Sequence, residues 1–302
     1  MKPFNQYLTD KNYSTDTASG MVNATNRFVR WLDEQGMELE QVRPTDILAY
    51  LKHCAAHQSQ ATQQKTLIKL RHFFNFMIAT EQITVNPTAQ IQIRGVQRNK
   101  LQHILNREEL DGLYQQFSQS GPAGQRNKVI TGLFTCQGIT THELAALHPD
   151  HIQLNQGKIR IPNTRRANGR TLQLHPAQVL HLQEYLTQGR PKILAGQESN
   201  RLILTPSINS PLDNLIKKLM AKLRGINPKV TNAKQIRASV IAQWVKVHNL
   251  RKAQYMAGHR YVSSTEAYLV HDTQGLKAQI DLYHPLSAVA LAKADNNPQT
   301  HE

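Results

Sequence analysis

Between Ala233 and Tyr268 three residue types follow one another in an order suited to handling an anion such as a phosphate. They are Arg237 in Ile236-Arg237-Ala238-Ser239, His259 directly after Gly258, and Tyr268 closing Ser263-Ser264-Thr265-Glu266-Ala267-Tyr268. A guanidinium is a planar fork that bonds two oxygens of one anion and keeps its charge at any working pH. An imidazole titrates near neutrality and can hydrogen-bond the same anion or carry a proton. A phenol attacks only after losing a proton held with a reference pKa near ~10, so positive charge must surround its target. Each residue alone has a plainer meaning. An Arg on an amphipathic helix is commonly a surface or ion-pair residue, and the run from Gly258 to Tyr261 reads equally as a helix stop and turn. Tyr255, Tyr261, Tyr268 and Tyr283 could all be core aromatics.

The charge balance points the same way. The 302 residues carry 36 Lys and Arg against 21 Asp and Glu, a net +15 with the fourteen His neutral. Up to Gly95 there are ten basic and eight acidic residues, and beyond it twenty-six and thirteen. A cation set against a phosphate releases a condensed counterion, so this excess favours a polyanion, nucleic acid first, over a protein that merely has a high pI. Cys54 and Cys136 form neither a disulfide framework nor a metal-ligand spacing, which fits a reducing cytoplasm and no metal site. Met1-Lys2-Pro3-Phe4 lacks a signal-peptide run and no stretch is apolar for long enough to cross a bilayer, so no membrane partner is expected.

The elements that must position these residues fall into two groups. Apolar residues Met21, Val22, Phe28, Val29, Trp31 and Leu32 recur at helical steps behind the cap candidates Ser14 and Thr15. Pro44-Thr45-Asp46 opens a second helix, and Ser59-Gln60-Ala61-Thr62 a third that runs through Leu67, Leu70, Phe73, Phe74 and Met77. The third also carries Lys65, Lys69 and Arg71, which either meet DNA phosphates or form a solvated face. After Asn86-Pro87 a basic stretch without periodicity reads as a linker. Asn106-Arg107-Glu108-Glu109 is a capping box that starts a second domain. There Lys128 to Gln137 is a helix candidate, Lys158 to Pro162 and Arg170 to Leu174 are strands around a turn at 163–169, and helices return at 178–186, 212–223, 233–248 and 250–257. The fold expected is mainly helical: an N-terminal bundle and a larger helical domain with a small antiparallel β-sheet. The boundaries are 1–92 for the first domain, 93–104 for the linker, 105–285 for the second domain and 286–302 for the tail.

On the ordered Arg237, Gly258-His259 and Thr265-x-x-Tyr268 the chain resembles the tyrosine recombinase, or phage integrase, family. The first domain resembles that family's helical, SAM-like core-binding domain through the Thr-Asp-Ile segment at Thr45 and the Asn-Pro at Asn86. The resemblance implies site-specific cleavage and rejoining of double-stranded DNA, as in integration, excision or inversion, including that of mobile elements. Spacing from Gly258-His259 selects Tyr268 as the nucleophile, which would leave a 3′-phosphotyrosyl strand and a free 5′-hydroxyl. Bond energy is conserved, so no cofactor, ATP or metal is implied. Arg237 would clamp the phosphate, His259 would bond it or move a proton, and Lys234 stands where the family usually has a second His or Lys. Also implied are a cytoplasmic, nucleoid-associated protein and a homo-oligomer on DNA that exchanges a C-terminal segment, here about Leu276 to Leu291.

One departure stands out. Family members carry a first catalytic Arg in Gly-Leu-Arg-x-x-Glu-Leu, whereas this chain reads Gly138-Ile139-Thr140-Thr141-His142-Glu143-Leu144. With Thr140 in place of that Arg, one guanidinium is missing. On the turn, Arg165 lies nearest to the family's Lys, and Arg165 or Arg166 could replace part of the clamp. Alternatively the turn, with Arg166 and Arg170, simply grips the DNA backbone. The rival function that follows from Thr140 is a catalytically weak relative acting as a DNA-binding accessory or regulatory protein.

Overall fold

In a computed structural model of the chain, the described residues are 2–96, 104–165, 167–205 and 211–269. The expected tail, the exchange segment at 276–291, Tyr283, Arg166 and most of the linker lie outside them. The chain divides into two compact units, Met1–Asn99 and Lys100–Glu302.

The first unit is all-helical: α1 (Lys2–Asp10), α2 (Thr15–Glu34), α3 (Pro44–Ala55) and α4 (Gln60–Ala79). The start signals work as chemistry predicts. The Ser14 and Ser59 hydroxyls accept the N–H groups of Thr17 and Thr62, and the Asp46 carboxylate accepts the N–H of Arg43 ahead of Pro44. The apolar faces meet in an aromatic core in which Phe28 packs edge-on against Tyr50 and Phe74, and Phe4 against Phe73. Helix α1, for which no sequence signal was found, contributes the buried Phe4 and Leu8.

The second unit opens with α5 (Arg107–Gln116), whose Asn106–Glu109 capping box forms in both directions. Helix α6 (Gly121–Thr135) begins earlier than its apolar run suggests, because Pro122 occupies the first turn, and every residue from Arg126 to Thr135 is buried. Lys128 survives burial there by donating to the carbonyls of Tyr114, Gln115 and Phe117, at the end of α5. A five-residue helix α7 (Thr141–Ala145) precedes an antiparallel sheet of β1 (Ile152–Gln153), β2 (Lys158–Ile161) and β3 (Arg170–Gln173). Register pairs Ile159 with Leu172 and Ile161 with Arg170. Then come α8 (Pro176–Glu184), a π-turn at Tyr185–Gly189, α9 (Arg190–Leu194), α10 (Leu212–Ile226), α11 (Ala233–Val247), α12 (Leu250–Ala257) and α13 (Ser263–Glu266). Ile159, Ile161, Leu172, Leu219, Ile236 and Val240 share one core. No described helix is long and apolar enough to cross a membrane.

Candidate functional site

The site gathers around a carboxylate. Thr140 caps α7: its hydroxyl accepts the N–H of Glu143 (3.1 Å), while its own N–H and hydroxyl donate to Glu143 Oε2 (2.7 and 3.0 Å). Glu143 is thereby held inside the protein with its other oxygen, Oε1, 2.5 Å from Arg170 Nη1, and the two side chains are 1% and 0% exposed. Arg237 Nη1 stands 3.6 Å from Glu143 Oε2. Burial works to raise the Glu143 pKa, but the hydrogen bond and charge of Arg170, then the Thr140 N–H and Arg237, outweigh it and hold the carboxyl below its ordinary value. A buried ion pair of this kind costs desolvation, which only close geometry recovers.

Arg237 reaches the site from the first turns of α11 and is 12% exposed. Its Nη1 donates to the Gly138 carbonyl (2.5 Å) and its Nη2 to the Ala257 carbonyl (2.6 Å), so the guanidinium ties the turn before α7 to the end of α12. Helix α12 stops at Gly258, whose φ of 68° is left-handed. Conformation is one reason for glycine there and space is the other: a Cβ would lie 2.5 Å from Arg170 Nη1 and 2.9 Å from the Asn168 carbonyl. Next in the chain, His259 pairs through Nδ1 with the hydroxyl of the buried Thr265 at 2.8 Å. The imidazole stacks on Tyr268, with ring centres 6.1 Å apart and planes 21° from parallel. Burial, then the charges of Arg237 and Arg170, pull the His259 pKa down to about 4, so the ring is neutral at pH 7. Burial also pushes the Tyr268 phenol up, and the charge of Arg237 opposes it.

Arg237, His259 and Tyr268 are thus brought together, as their spacing predicts. The competing tyrosines Tyr255 and Tyr261 are not. Tyr261 is 73% exposed, and Tyr255 is 54% exposed with its hydroxyl accepting the Thr171 N–H at the edge of β3. Lys234 lies at the start of α11 and Arg165 is exposed on the hairpin turn. That turn is fastened to the loop carrying His259: the Asn168 N–H donates to the Gly258 carbonyl (2.9 Å) and Arg260 Nη2 to the Thr164 carbonyl (3.0 Å).

Two expected DNA-gripping residues have other employment. Arg170 is not a turn residue facing outward but a strand residue buried beside Leu172, because alternation along β3 points both inward. Arg71 spends its Nη2 on the carbonyls of Thr88 (3.0 Å) and Ile91 (2.9 Å), pinning the segment after α4. In the same unit Lys65 is exposed and Lys69 partly buried. From sequence, Glu143 had only a contextual role and Arg170 a peripheral one. The signal that marks Arg170 is its i, i+2, i+4 register with Leu172 and Leu174, the apolar face of the strand.

Comparison with known proteins matches residues 1–81 to the phage integrase N-terminal SAM-like domain and residues 103–274 to the phage integrase family. A tyrosine recombinase XerD of Shewanella oneidensis is 26% identical over 283 residues, 92% of this chain and 93% of its own length. A tyrosine recombinase XerC of Bacillus pumilus is also 26% identical, over 296 residues, 93% and 95% of the two chains. Among solved structures, the XerH site-specific recombinase bound to palindromic difH substrate, a post-cleavage complex, superposes with a TM-score of 0.73 at 18% identity, covering 90% of this chain and 81% of that one. A lambda integrase (75–356) dimer bound to a COC′ core site gives 0.63 at 15% identity, covering 88% and 93%. These structural likenesses concern the fold.

Proposed function

Since the chain belongs to the phage integrase family, we propose that it is a site-specific DNA recombinase that cleaves and rejoins double-stranded DNA through Tyr268. The observation that carries this reading is the convergence of Arg237, His259 and Tyr268 in one partly enclosed place. In the cleavage step a bond forms between Tyr268 Oη and the scissile phosphorus as the bond from phosphorus to the 5′ oxygen breaks. The phenol gives up its proton and the departing oxygen gains one, so one phosphate ester replaces another and the reverse attack reseals the strand. Arg237 neutralises the non-bridging oxygens. His259, neutral at pH 7, bonds the phosphate or takes the phenolic proton. Lys234 and Arg165 are candidates for contacts to DNA phosphates in the second unit, Lys65 and Lys69 in the first, and Arg166 is one that lies outside the described residues.

The accessory reading that Thr140 invited is not favoured, since the relatives above are named as recombinases along nearly the whole chain. Solved relatives in complex with DNA, one of them a dimer, support a protein that works as an oligomer on its site, and a DNA substrate would keep it in the cytoplasm with the nucleoid. The test is a pool of nicked duplexes of randomised sequence, from which DNA still attached after denaturation is recovered. Wild type is expected to retain DNA covalently and Tyr268→Phe to retain none. An adduct that persists in Tyr268→Phe overturns the choice of nucleophile, and retention that vanishes on denaturation in the wild type overturns the recombinase reading.

A further inference from the structure

Arg170 is the one cation of the site, among the described residues, whose bonding is half finished. Its Nη1 holds Glu143, yet Nε and Nη2 are buried without a hydrogen-bond partner among those residues. Leaving charged N–H groups dry and unpaired is costly, so an ion pair with Glu143 accounts for only part of this side chain. Other buried cations of the same unit differ: Lys128 spends its ammonium on three carbonyls, and Arg126 reaches the Leu204 carbonyl and the Asn127 side chain. The unused part of Arg170 is the edge formed by Nε and Nη2, two N–H groups side by side, the geometry that bonds two oxygens of one phosphate.

Its position adds a second argument. Glu143 receives Arg170 on one oxygen and has Arg237 near the other, so both guanidiniums meet at one carboxylate three residues after Thr140. The charge of Arg170 is felt by both Arg237 and His259. Thr140 itself is occupied, capping α7 and bonding Glu143.

Resting on the recombinase reading above, we propose that Arg170, delivered by β3, is the second phosphate-clamping guanidinium that Thr140 does not supply, its Nε and Nη2 binding non-bridging oxygens of the scissile phosphate. The Arg170 side chain is 0% exposed, so a phosphate reaches this edge only if the site opens on DNA, and the fork then acts in dry surroundings where a charge-assisted contact is strongest. Arg170 is favoured over Arg165 because Arg165 sits exposed on the turn.

The experiment uses the duplex recovered from the randomised pool, made with either an ordinary phosphate or a neutral methylphosphonate at the cleaved position. Arg170→Ala removes the fork, and Arg170→Lys keeps a cation for Glu143 without the paired N–H groups; thermal melting of each variant checks its fold. On the phosphate duplex, adduct formation is expected to fall ~10²- to 10³-fold in both variants, the usual cost of losing one donor to a developing anion. On the methylphosphonate, which lacks the charge the fork would meet, the same variants lose far less. Equal losses on the two duplexes, or Arg170→Lys matching wild type on the phosphate, would assign Arg170 to holding Glu143 alone and overturn the proposal. A wild type that forms no adduct removes the recombinase reading and this one with it, whereas a wild-type adduct indifferent to Arg170 removes this one only.

Discussion

The first unit interlocks rings, with Phe28 against Tyr50 and Phe74, and its buried polar residues among those described are three threonines, Thr25, Thr66 and Thr88. The second unit shuts Arg126, Lys128, Glu143 and Arg170 away beside leucines and isoleucines. An aromatic core needs only shape to be stable, whereas a core with charges inside depends on every partner being present. The unit that carries the proposed chemistry has therefore accepted a fragility that the other avoids.

Substitutions can break or sharpen that contrast. The largest effect expected is chemical: Arg237→Lys keeps a charge but loses the fork, so adduct formation should drop ~10²- to 10³-fold while the duplex is still retained in a mobility-shift gel. A drop in retention of equal size would mean that Arg237 serves DNA affinity instead. In stability, Glu143→Ala strands Arg170 and should cost about 3–5 kcal/mol, and Phe28→Ala should cost a similar ~3–5 kcal/mol by leaving a cavity. The two differ in repair. Adding Arg170→Met to Glu143→Ala should return part of the loss in urea unfolding, because the unpaired charge is what costs; if the two losses simply add, the contrast between the cores fails.

Acid should act most strongly through the second unit. His259 titrates at about 4 in the folded protein against an ordinary 6.5, so the unfolded chain binds the proton first. The stability contributed by the neutral ring is complete above pH ~6.5, declines as the pH falls toward about 4, and changes no further below, amounting to about 3 kcal/mol. His259→Asn should flatten that slope in melts between pH 7 and 4, and an unchanged slope would place the acid sensitivity elsewhere. Smallest of all, Lys65→Ala should lower the slope of log affinity against log salt by about one while leaving adduct formation at saturating DNA unchanged.

Much of this architecture could be read from the chain because it is written in local code. Ser14, Ser59, Pro44 and Asn106 mark helix starts that the structure keeps, and the intervals joining Arg237, His259 and Tyr268 follow from α11, the glycine stop that ends α12, and the short α13 after it. Helix α1 escaped because its apolar residues are few and make sense only against α2 and α4. The two-residue β1 has no pattern of its own and exists through its pairing with β2. The partnership of Glu143 and Arg170 joins residues 27 apart in sequence, and no propensity or spacing rule connects a helix cap to a strand. A charged residue in register with Leu172 and Leu174 was the available hint, outweighed by the basic turn beside it.

The pairing of β2 with β3 has a consequence beyond holding two strands side by side. Inward and outward positions alternate along a strand, so a slip of one residue would turn Thr171 and Gln173 toward the interior and carry Arg170 out into solvent. The same ladder, through Asn168 and Gly258, carries the loop bearing the imidazole. A hairpin of four-residue strands thus works as the molecule's ruler, and an error of a single notch would dismantle the reaction centre without altering any of the groups that compose it.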